Sequence, residues 1–427
     1  MHRNSIAVGA VPRRDPASNG VAHAWSPVVL LLIGSGVVAA AQVGKAIITI
    51  PLVRSEFSLG LALAGLIVAT SATLGATTGI GAGVVVGRLG VRRSLIGGMS
   101  AIAIGNVISA GAANEAVLLA ARIIESIGFV GVVLAIPTML ARLVMRETRD
   151  LVMAAWSAYM PIGIMLMLLA APLLPAVGWR NLWLANAAVA SACTLLLVLH
   201  APALSVTTAP EPARRFVADV ATVVRHPGCL ALGIAFFAFT CQIFSLSFTL
   251  PLLLTSEHGT SLAAAGLLSA LVLAVSAVGH VASGVLLRMG MPIWVSIGTA
   301  FACLAVCGFG IYSDVLPPQG IALVAALALG GGGLAPGAVY AAVPYAAPHP
   351  SAVPPLIGLV QQASNLGQFA GPVALGLWVE HLGWRGAPGL LAPLALFGLA
   401  AAFVVRRRLK TSRGDSKSRE QREQRHA

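Results

Sequence analysis

Charged residues are scarce in this sequence: Asp, Glu, Lys and Arg together make up 10% of its 427 residues. A soluble domain carries about 25% of such residues. Apolar residues reach 58%, and the mean hydropathy is +0.90. A chain of this composition has too few charges to cover a water-exposed surface, so we predict an integral membrane protein.

The sequence also lacks the patterns of several functional classes. Its five cysteines have neither metal-ligand nor disulfide spacing. No phosphate-binding loop or nucleophile–base arrangement appears, and the short alternating segments of an outer-membrane barrel are not visible. The polar N-terminus lacks the apolar core of a signal peptide. We therefore predict that the chain is not an enzyme and uses neither a metal nor a cofactor.

What the sequence does contain is a series of long apolar runs. A helix needs about 20 apolar residues to cross a bilayer, and twelve runs of about that length or more are present. We predict an all-α integral membrane protein with twelve transmembrane helices. Their approximate spans are 26–52, 61–87, 94–113, 116–141, 151–175, 181–200, 228–255, 261–287, 292–312, 318–346, 355–379 and 386–405.

The longest internal polar stretch separates the sixth span from the seventh and so divides the spans into two halves of six. Within this stretch, Phe216, Val220 and Val223 stand at helical spacing and predict a short amphipathic helix on a membrane face. The predicted organisation is a cytoplasmic N-terminal tail, a six-helix half, a cytoplasmic linker, a second six-helix half and a basic cytoplasmic tail, at residues 1–25, 26–200, 201–227, 228–405 and 406–427.

Basic residues are distributed unequally between the two sides of the membrane. With the N-terminus inside, the outer loops hold only Arg54, Arg180 and Arg385, and the other loop arginines and the basic tail are cytoplasmic. The positive-inside rule then places both termini in the cytoplasm. The net charge of +13 is explained by this topology, so no nucleic-acid partner is predicted. High Ala and Gly content favours a bacterial inner membrane, and we expect a monomer in the lipid bilayer.

The two halves repeat each other in sequence. The run "AQVGKAIITIP" (41–51) matches "CQIFSLSFTLP" (241–251), so Gln42, Thr49 and Pro51 each recur 200 residues later. The tripeptide "GWR" stands at 178–180 and again at 383–385. Internal repeats of this kind are typical of secondary transporters, whose substrate site lies near mid-membrane between the halves.

Three motifs make the sequence resemble the major facilitator superfamily. The loop "GVVVGRLGVRR" (83–93) is similar to the family signature G-x-x-x-D-R-x-G-R-R/K, with Gly87 in place of the Asp and Val91 in place of an Arg. The fourth span reads "RIIESIGFVG" (122–131), like the family pattern R-x-x-q-G-x-g. The eleventh span fits the pattern G-x8-G-x3-G-P-x2-G-G from Gly358 to Gly376, with Leu375 in place of one Gly. The family has this pattern on its fifth helix and associates it with antiporters. The resemblance implies alternating access and a central cavity lined by helices 1, 4, 7 and 10.

Glycines mark the faces that we expect to move. The second span carries Gly75, Gly79, Gly83 and Gly87, one every four residues, a ridge suited to close helix contact. The predicted partner of this ridge is the eleventh span. The alternative to a moving contact is simple tight packing. The residues predicted to take part in gating are Gly83, Arg88, Gly90, Arg92, Gly367, Gly371 and Pro372.

Few ionisable residues lie inside the predicted spans, and such residues are functional by default. At 1.5 Å per residue, Lys45, Arg122 and Glu125 fall in one layer of the first half. Arg122 and Glu125 are three residues apart and share a helix face. We predict that Lys45 and Arg122 bind solute, and that Glu125 and His280 (eighth span) carry protons. A snorkelling Lys45, a structural Arg122–Glu125 pair and a core His280 are the alternatives.

Polar stripes complete the predicted site. Gln42, Lys45 and Thr49 share one face of the first span, because they stand at i, i+3 and i+7. Lipid cannot satisfy such a stripe, so it should face protein or a wet cavity; helix–helix contact is the simpler alternative. The predicted substrate-binding residues are Gln42, Lys45, Thr49, Arg122, Gln242, Ser245, Gln361 and Asn365.

These features lead to one leading hypothesis and two alternatives. The leading hypothesis is proton-coupled transport of a small organic anion or polar metabolite, since two cations face one carboxylate. The second is proton-coupled efflux of a drug-like compound, with Glu125 recognising positive charge. The third, from another class, is a membrane receptor or scaffold that binds a ligand without transporting it.

Overall fold

The computed structural model describes residues 25–59, 61–202, 204, 213–313 and 315–426. Residues 1–24 of the predicted N-terminal tail and residues 205–212 of the predicted linker lie outside this part of the chain. All regular structure in the described residues is helical, and no strand occurs among them.

Sixteen α-helices follow one another along the described chain. Their bounds are α1 (Pro27–Phe57), α2 (Leu61–Leu89), α3 (Val91–Ala110), α4 (Glu115–Leu143), α5 (Arg146–Ser157), α6 (Tyr159–Ala170), α7 (Leu174–Val177), α8 (Trp179–Leu199), α9 (Ala213–Arg225), α10 (Pro227–Ser256), α11 (Leu262–Arg288), α12 (Ile293–Ile311), α13 (Pro318–Gly332), α14 (Leu334–Ala346), α15 (Val353–Leu382) and α16 (Ala387–His426).

All twelve predicted spans can be traced through these helices. Eleven described segments are long and apolar enough to cross a membrane, and α15, with 30 residues, supplies the eleventh span. The fifth span consists of α5, α6 and α7, and the tenth consists of α13 and α14. The remaining helix, α9, lies in the linker and occupies the segment where an amphipathic helix was predicted.

The repeated "GWR" tripeptide marks two equivalent helix starts. Gly178 has φ +76° and ψ 158°, and Gly383 has φ +69° and ψ 174°. These conformations strongly favour glycine because a Cβ would be strained there. The following tryptophan begins α8 in the first half and a short 3-10 turn before α16 in the second. The repeated tripeptide therefore corresponds to the same glycine turn at equivalent positions of the two halves.

The two halves contact each other where α2 packs against α15. The glycine ridge of α2 permits this contact, because a Cβ on Gly79 would lie 2.5 Å from Cβ of Gln362. A Cβ on Gly83 would lie 3.0 Å from the carbonyl oxygen of Pro354, and one on Gly75 would overlap the Asn365 side chain. The backbones thus run close together from the predicted cytoplasmic end of α2 toward its middle.

A side-chain amide reinforces this interface. Gln362 Nε2 donates to the carbonyl oxygen of Ala76 at 2.8 Å, and its Oε1 accepts from the Ile80 amide at 3.1 Å. These two peptide groups are the pair that an i→i−4 helical hydrogen bond joins. One side chain of the second half therefore binds both members of a helical hydrogen-bond pair in the first half.

The second contact between the halves joins α11 to the break between α5 and α6. Pro161 has no amide hydrogen, so the carbonyl of Ser157, four residues earlier, lacks its helical donor. His280 of α11 fills this position, with Nδ1 2.8 Å from that carbonyl oxygen. Because a carbonyl only accepts, Nδ1 carries the hydrogen. The kinked fifth span thus creates the site to which His280 binds.

The α2–α15 contact leads to a prediction about Gly79. Gly79→Ala places a methyl group against Gln362 and should lower the free energy of unfolding by about 1–3 kcal/mol, as overpacking does. Gly81→Ala is the matched control, since Gly81 lies on the same helix and nothing lies within 4 Å of the position that an added Cβ would take. Thermal unfolding of the purified variants measures the difference. Equal melting temperatures for the two would contradict this account of the interface.

Candidate functional site

The charged residues of the first half form one buried cluster. Lys45 projects from α1, and Arg122 and Glu125 project from α4. All three are 0% exposed. Glu125 Oε2 lies 3.0 Å from Lys45 Nζ and also accepts a hydrogen bond from Arg122 Nη1. The three side chains that were predicted to lie at one depth are therefore in contact, with a carboxylate between two cations.

Hydrogen bonds from three further helices hold the Glu125–Arg122 pair in place. Ser109 of α3 donates to Glu125 Oε1 at 2.9 Å. Arg122 Nε donates to the carbonyl oxygen of Ile67 on α2, and Nη1 donates to that of Gln42 on α1, each at 3.3 Å. Arg122 Nη2 has no hydrogen-bond partner among the described residues. The cluster thus joins α1, α2, α3 and α4.

Asn106 of α3 links Lys45 to Gln42. Its Nδ2 donates to Gln42 Oε1 at 2.8 Å and to the Ile102 carbonyl oxygen at 2.7 Å. Its Oδ1 accepts a hydrogen bond from Lys45 Nζ. The two donor contacts fix the orientation of the amide, so an acceptor oxygen must face the lysine. Sequence reasoning missed Asn106 because a single asparagine in an apolar span forms no stripe.

Trp183 of α8 covers the cluster on its remaining side. Lys45 Nζ lies 4.0 Å from the centroid of the Trp183 ring, over its face. The indole Nε1 donates to Thr49 Oγ1 at 3.2 Å, and Thr49 in turn donates to the Lys45 carbonyl oxygen at 2.7 Å. Thr49 therefore positions the tryptophan. The predicted stripe of α1 faces α3, α4 and α8, inside the first half.

A glycine of α3 makes room for the carboxylate. A Cβ on Gly105 would lie 2.5 Å from Glu125 Cγ and 3.0 Å from the Ala121 carbonyl oxygen. Any larger residue at this position would push α3 away from α4. The close approach lets Ser109, one turn further along α3, reach Glu125.

A cavity of about 300 Å³ lies between the halves. Its wall comes from α1, α5, α6, α10, α11, α13, α14 and α15 and is mostly aliphatic and aromatic. Two predicted site residues line it, Gln361 and His280; Gln361 accepts a hydrogen bond from Tyr340 at 2.9 Å. The charged cluster is not part of the wall. Ile47, two residues beyond Lys45, is the cavity-lining residue that α1 provides.

The other predicted binding residues lie within the helix packing. Gln242 donates to the carbonyl oxygen of Ala238 one turn back, at 3.2 Å. Asn365 Nδ2 bonds the Gln361 carbonyl oxygen at 2.8 Å. Ser245 is buried, and its hydroxyl has no hydrogen-bond partner among the described residues. None of these three lines the cavity.

The predicted gating residues occupy three different places. Gly83 lies in the α2–α15 contact, whereas Gly367 and Gly371 pack against Thr240 and Cys241 of α10, within the second half. Gly90 joins α2 to α3 with φ +87°. Arg92 donates to the Ala201 carbonyl oxygen at 3.3 Å, and Arg88 is exposed. Pro372 is an internal proline of α15.

A separate ion pair stands at the predicted outer end of the first half. Glu56 accepts hydrogen bonds from Arg180 and from the Trp179 indole, both at 2.6 Å. The hydrogen bond from Arg180 lowers the pKa of Glu56 below its usual value. Arg180 also donates to the carbonyl oxygens of Ala110 and Ala112. This group ties α8 to the end of α1 and the α3–α4 connection.

Twelve membrane spans in two repeated halves, with a cavity between them, are the architecture of a multi-pass membrane transporter. The family model of the major facilitator superfamily matches residues 31–349. The chain belongs to this superfamily, as its motifs predicted. A search of curated protein sequences found no significant match.

Three solved structures share this fold at low sequence identity. The transporter FucP in the outward conformation is 14% identical, with a TM-score of 0.73, covering 90% of this chain and 99% of its own. The proton:xylose symporter XylE bound to 6-bromo-6-deoxy-D-glucose is 15% identical, with a TM-score of 0.68 and coverages of 88% and 94%. The human organic anion transporter MFSD10 (TETRAN) is 15% identical, with a TM-score of 0.67 and coverages of 89% and 100%.

The bond network of Asn106 predicts that this residue stabilises the cluster. Asn106→Leu preserves the size of the side chain but leaves Gln42 Oε1 and one donor position of Lys45 unpaired. Each unsatisfied buried group costs about 1–3 kcal/mol, so the melting temperature should fall. The matched control is Asn181→Leu, because Asn181 is exposed on α8 and bonds only one turn back, to Val177. A variant at 106 as stable as the one at 181 would contradict the role of Asn106.

Proposed function

We propose that this transporter couples the movement of a small organic solute to protons, with the solute in the cavity and the proton in the charged cluster. The observation that carries this proposal is that the charged cluster and the cavity are separate. Lys45, Arg122 and Glu125 are 0% exposed inside the first half, while the cavity is shared by both halves. Buried ionisable groups in a membrane are expensive and typically mark proton or substrate pathways.

The chemistry of the cavity wall supports a solute with a large apolar surface. Among the described residues, no Asp, Glu, Lys or Arg lines it. Its polar contacts come from hydroxyl, amide and imidazole groups, such as those of Gln361, Tyr340 and His280. Pockets of this kind bind the apolar body of a ligand and orient it through a few hydrogen bonds. This favours an uncharged or weakly charged, drug-like compound, so the solute class of the predicted efflux function fits the wall best.

A specific observation also favours an organic anion or polar metabolite. The cluster has two cations for one carboxylate, and Arg122 Nη2 is buried without a partner among the described residues. An anion reaching this nitrogen would balance the charge. One structural neighbour is described as an organic anion transporter, which is compatible with this second candidate.

Gly266 offers a direct test of the cavity. It lines the wall, and nothing lies within 4 Å of the position of an added Cβ. Gly266→Phe should therefore fill the cavity without disturbing the helices and abolish binding of compounds found by a thermal-shift screen of the wild type. Gly65→Phe is the matched control: "LALAGLIVA" (61–69) on α2 repeats as "LAAAGLLSA" (262–270) on α11, so Gly65 is the repeat equivalent of Gly266, and it is equally open and outside the cavity wall. Retained binding by Gly266→Phe would contradict the cavity as the solute site.

Lys45→Ala separates the two solute classes. If an anion binds at the cluster, this variant should lose thermal-shift binding of every anionic compound that binds wild type. If the solute binds in the cavity, Lys45→Ala should still show thermal-shift binding of uncharged compounds. Compounds that bind wild type but show no flux under any pH gradient would instead support a receptor or scaffold and contradict transport.

A further inference from the structure

The net charge of the buried cluster restricts where a proton can be held. Lys45, Arg122 and Glu125 sum to one positive charge when Lys45 is protonated. An uncompensated buried charge is costly, and such groups commonly become neutral. Arg122 cannot be deprotonated in a protein, and a proton added to Glu125 would raise the net charge to two. Among the cluster's own side chains, neutrality is therefore reached only through loss of a proton from Lys45.

Both oxygens of Glu125 are already occupied by donors. Oε1 accepts from Ser109 at 2.9 Å, and Oε2 accepts from Arg122 and lies 3.0 Å from Lys45 Nζ. A proton on Oε2 would stand between two cations. A proton on the free lone pair of Oε1 would leave the hydrogen bond from Ser109 in place but would remove the negative charge that pairs with both cations. Protonation of Glu125 at either oxygen therefore costs the cluster both of its ion pairs.

The Lys45 amine, by contrast, is placed to hold either two or three hydrogens. Two hydrogen-bond acceptors surround it, Asn106 Oδ1 and Glu125 Oε2. A neutral amine fills both with its two hydrogens. The third hydrogen of an ammonium points to the Trp183 ring, whose centroid is 4.0 Å away. A desolvated cation–π contact is favourable, so both protonation states are accommodated without a broken hydrogen bond.

We propose that the exchangeable proton is held by the Lys45 amine, while Glu125 remains a carboxylate between Lys45 and Arg122. The proposal rests on the proton coupling proposed above and assigns the proton to Lys45, which sequence analysis predicted to bind solute, instead of to Glu125. The charged groups that face Lys45 in the described residues are Glu125 and Arg122, both on α4. The partners from α3 and α8, Asn106 and Trp183, are uncharged.

The geometry of α1 connects this proton to the cavity. A Cβ on Gly44, next to Lys45, would lie 2.8 Å from Met167 Cβ and 3.0 Å from Ile164 Cα on α6. Ile164 lines the cavity, as does Ile47 of α1 itself. A change in the charge of Lys45 changes its attraction to Glu125. The position of α1 relative to α4 changes as a result. Because α1 also contacts α6, a movement of α1 displaces cavity-lining residues of both helices. The solute need not contact the lysine for this to happen.

Lys45→Arg provides the main test, because arginine keeps the positive charge but cannot release it. Purified full-length protein in lipid nanodiscs is moved from mildly alkaline to mildly acidic pH, and proton uptake is measured with an indicator dye. Wild type should take up about one proton more per chain than Lys45→Arg, since the arginine stays protonated throughout. Equal uptake by the two proteins would overturn the proposal.

Infrared difference spectra over the same pH step supply a second readout, which starts from the wild-type protein. A proton on Lys45 gives no protonated-carboxyl band from glutamate. Incorporation of carbon-13-labelled glutamate shifts any such band, and Glu125→Gln assigns it where that variant folds. A glutamate band that disappears in Glu125→Gln and persists in Lys45→Arg would place the proton on Glu125 and refute the proposal.

Transport assays distinguish failure of this inference from failure of the proposed function. Compounds that bind the wild-type cavity are tested for flux driven by a pH gradient in liposomes. Gradient-driven flux that survives Lys45→Arg refutes the lysine as proton carrier but upholds proton coupling. Proton uptake that is lost in Lys45→Arg, together with no gradient-driven flux in wild type, upholds the proton site but contradicts coupled transport.

Discussion

The carboxylate of Glu125 between Lys45 and Arg122 is the interaction on which the first half of the protein depends. Three charges inside an apolar bundle are tolerated only if each is paired and hydrogen-bonded. The surrounding helices meet this requirement together: α2 and α1 offer carbonyl oxygens, α3 offers Ser109 and Asn106, and α8 offers the face of Trp183. Gly105 permits the necessary closeness of α3 and α4. The same contacts therefore stabilise the buried charges and hold the helices of the first half together.

The contacts that Gln362 and His280 make between the halves are of a different kind, because they are single hydrogen bonds to peptide groups rather than ion pairs. Gln362 bonds two peptide groups of α2, and His280 bonds the carbonyl oxygen of Ser157 that Pro161 leaves without a helical donor. Such hydrogen bonds each contribute about 1 kcal/mol net. Contacts of this strength can be broken and reformed as two rigid halves rock, whereas the charged cluster stays within one half. This difference in strength suits alternating access, in which each half moves as a unit.

The sequence located the charged layer but not the direction in which it faces. Helical rise placed Lys45, Arg122 and Glu125 at one depth, and the structure brings them into contact. Depth carries no information about rotation of a helix about its axis, so the stripe of α1 was expected at the solute site. It faces α3 and α8 instead, and the partners that decide this, Asn106 and Trp183, are isolated residues in otherwise apolar spans. Likewise, Gln362 is adjacent to the predicted Gln361 but points to another helix.

The membrane class, the twelve spans, the repeated halves and membership of the superfamily can all be read from the sequence alone. These follow from composition, run length and local motifs, which are properties of the chain read in order. Which side chains meet depends on contacts that form only in the folded protein. The separation of an uncharged cavity wall from a buried charged cluster arises because α1 presents Ile47 to the cavity and Lys45 to its own half. That arrangement depends on helix rotation and on close approach at glycines, both set by contacts distant in sequence.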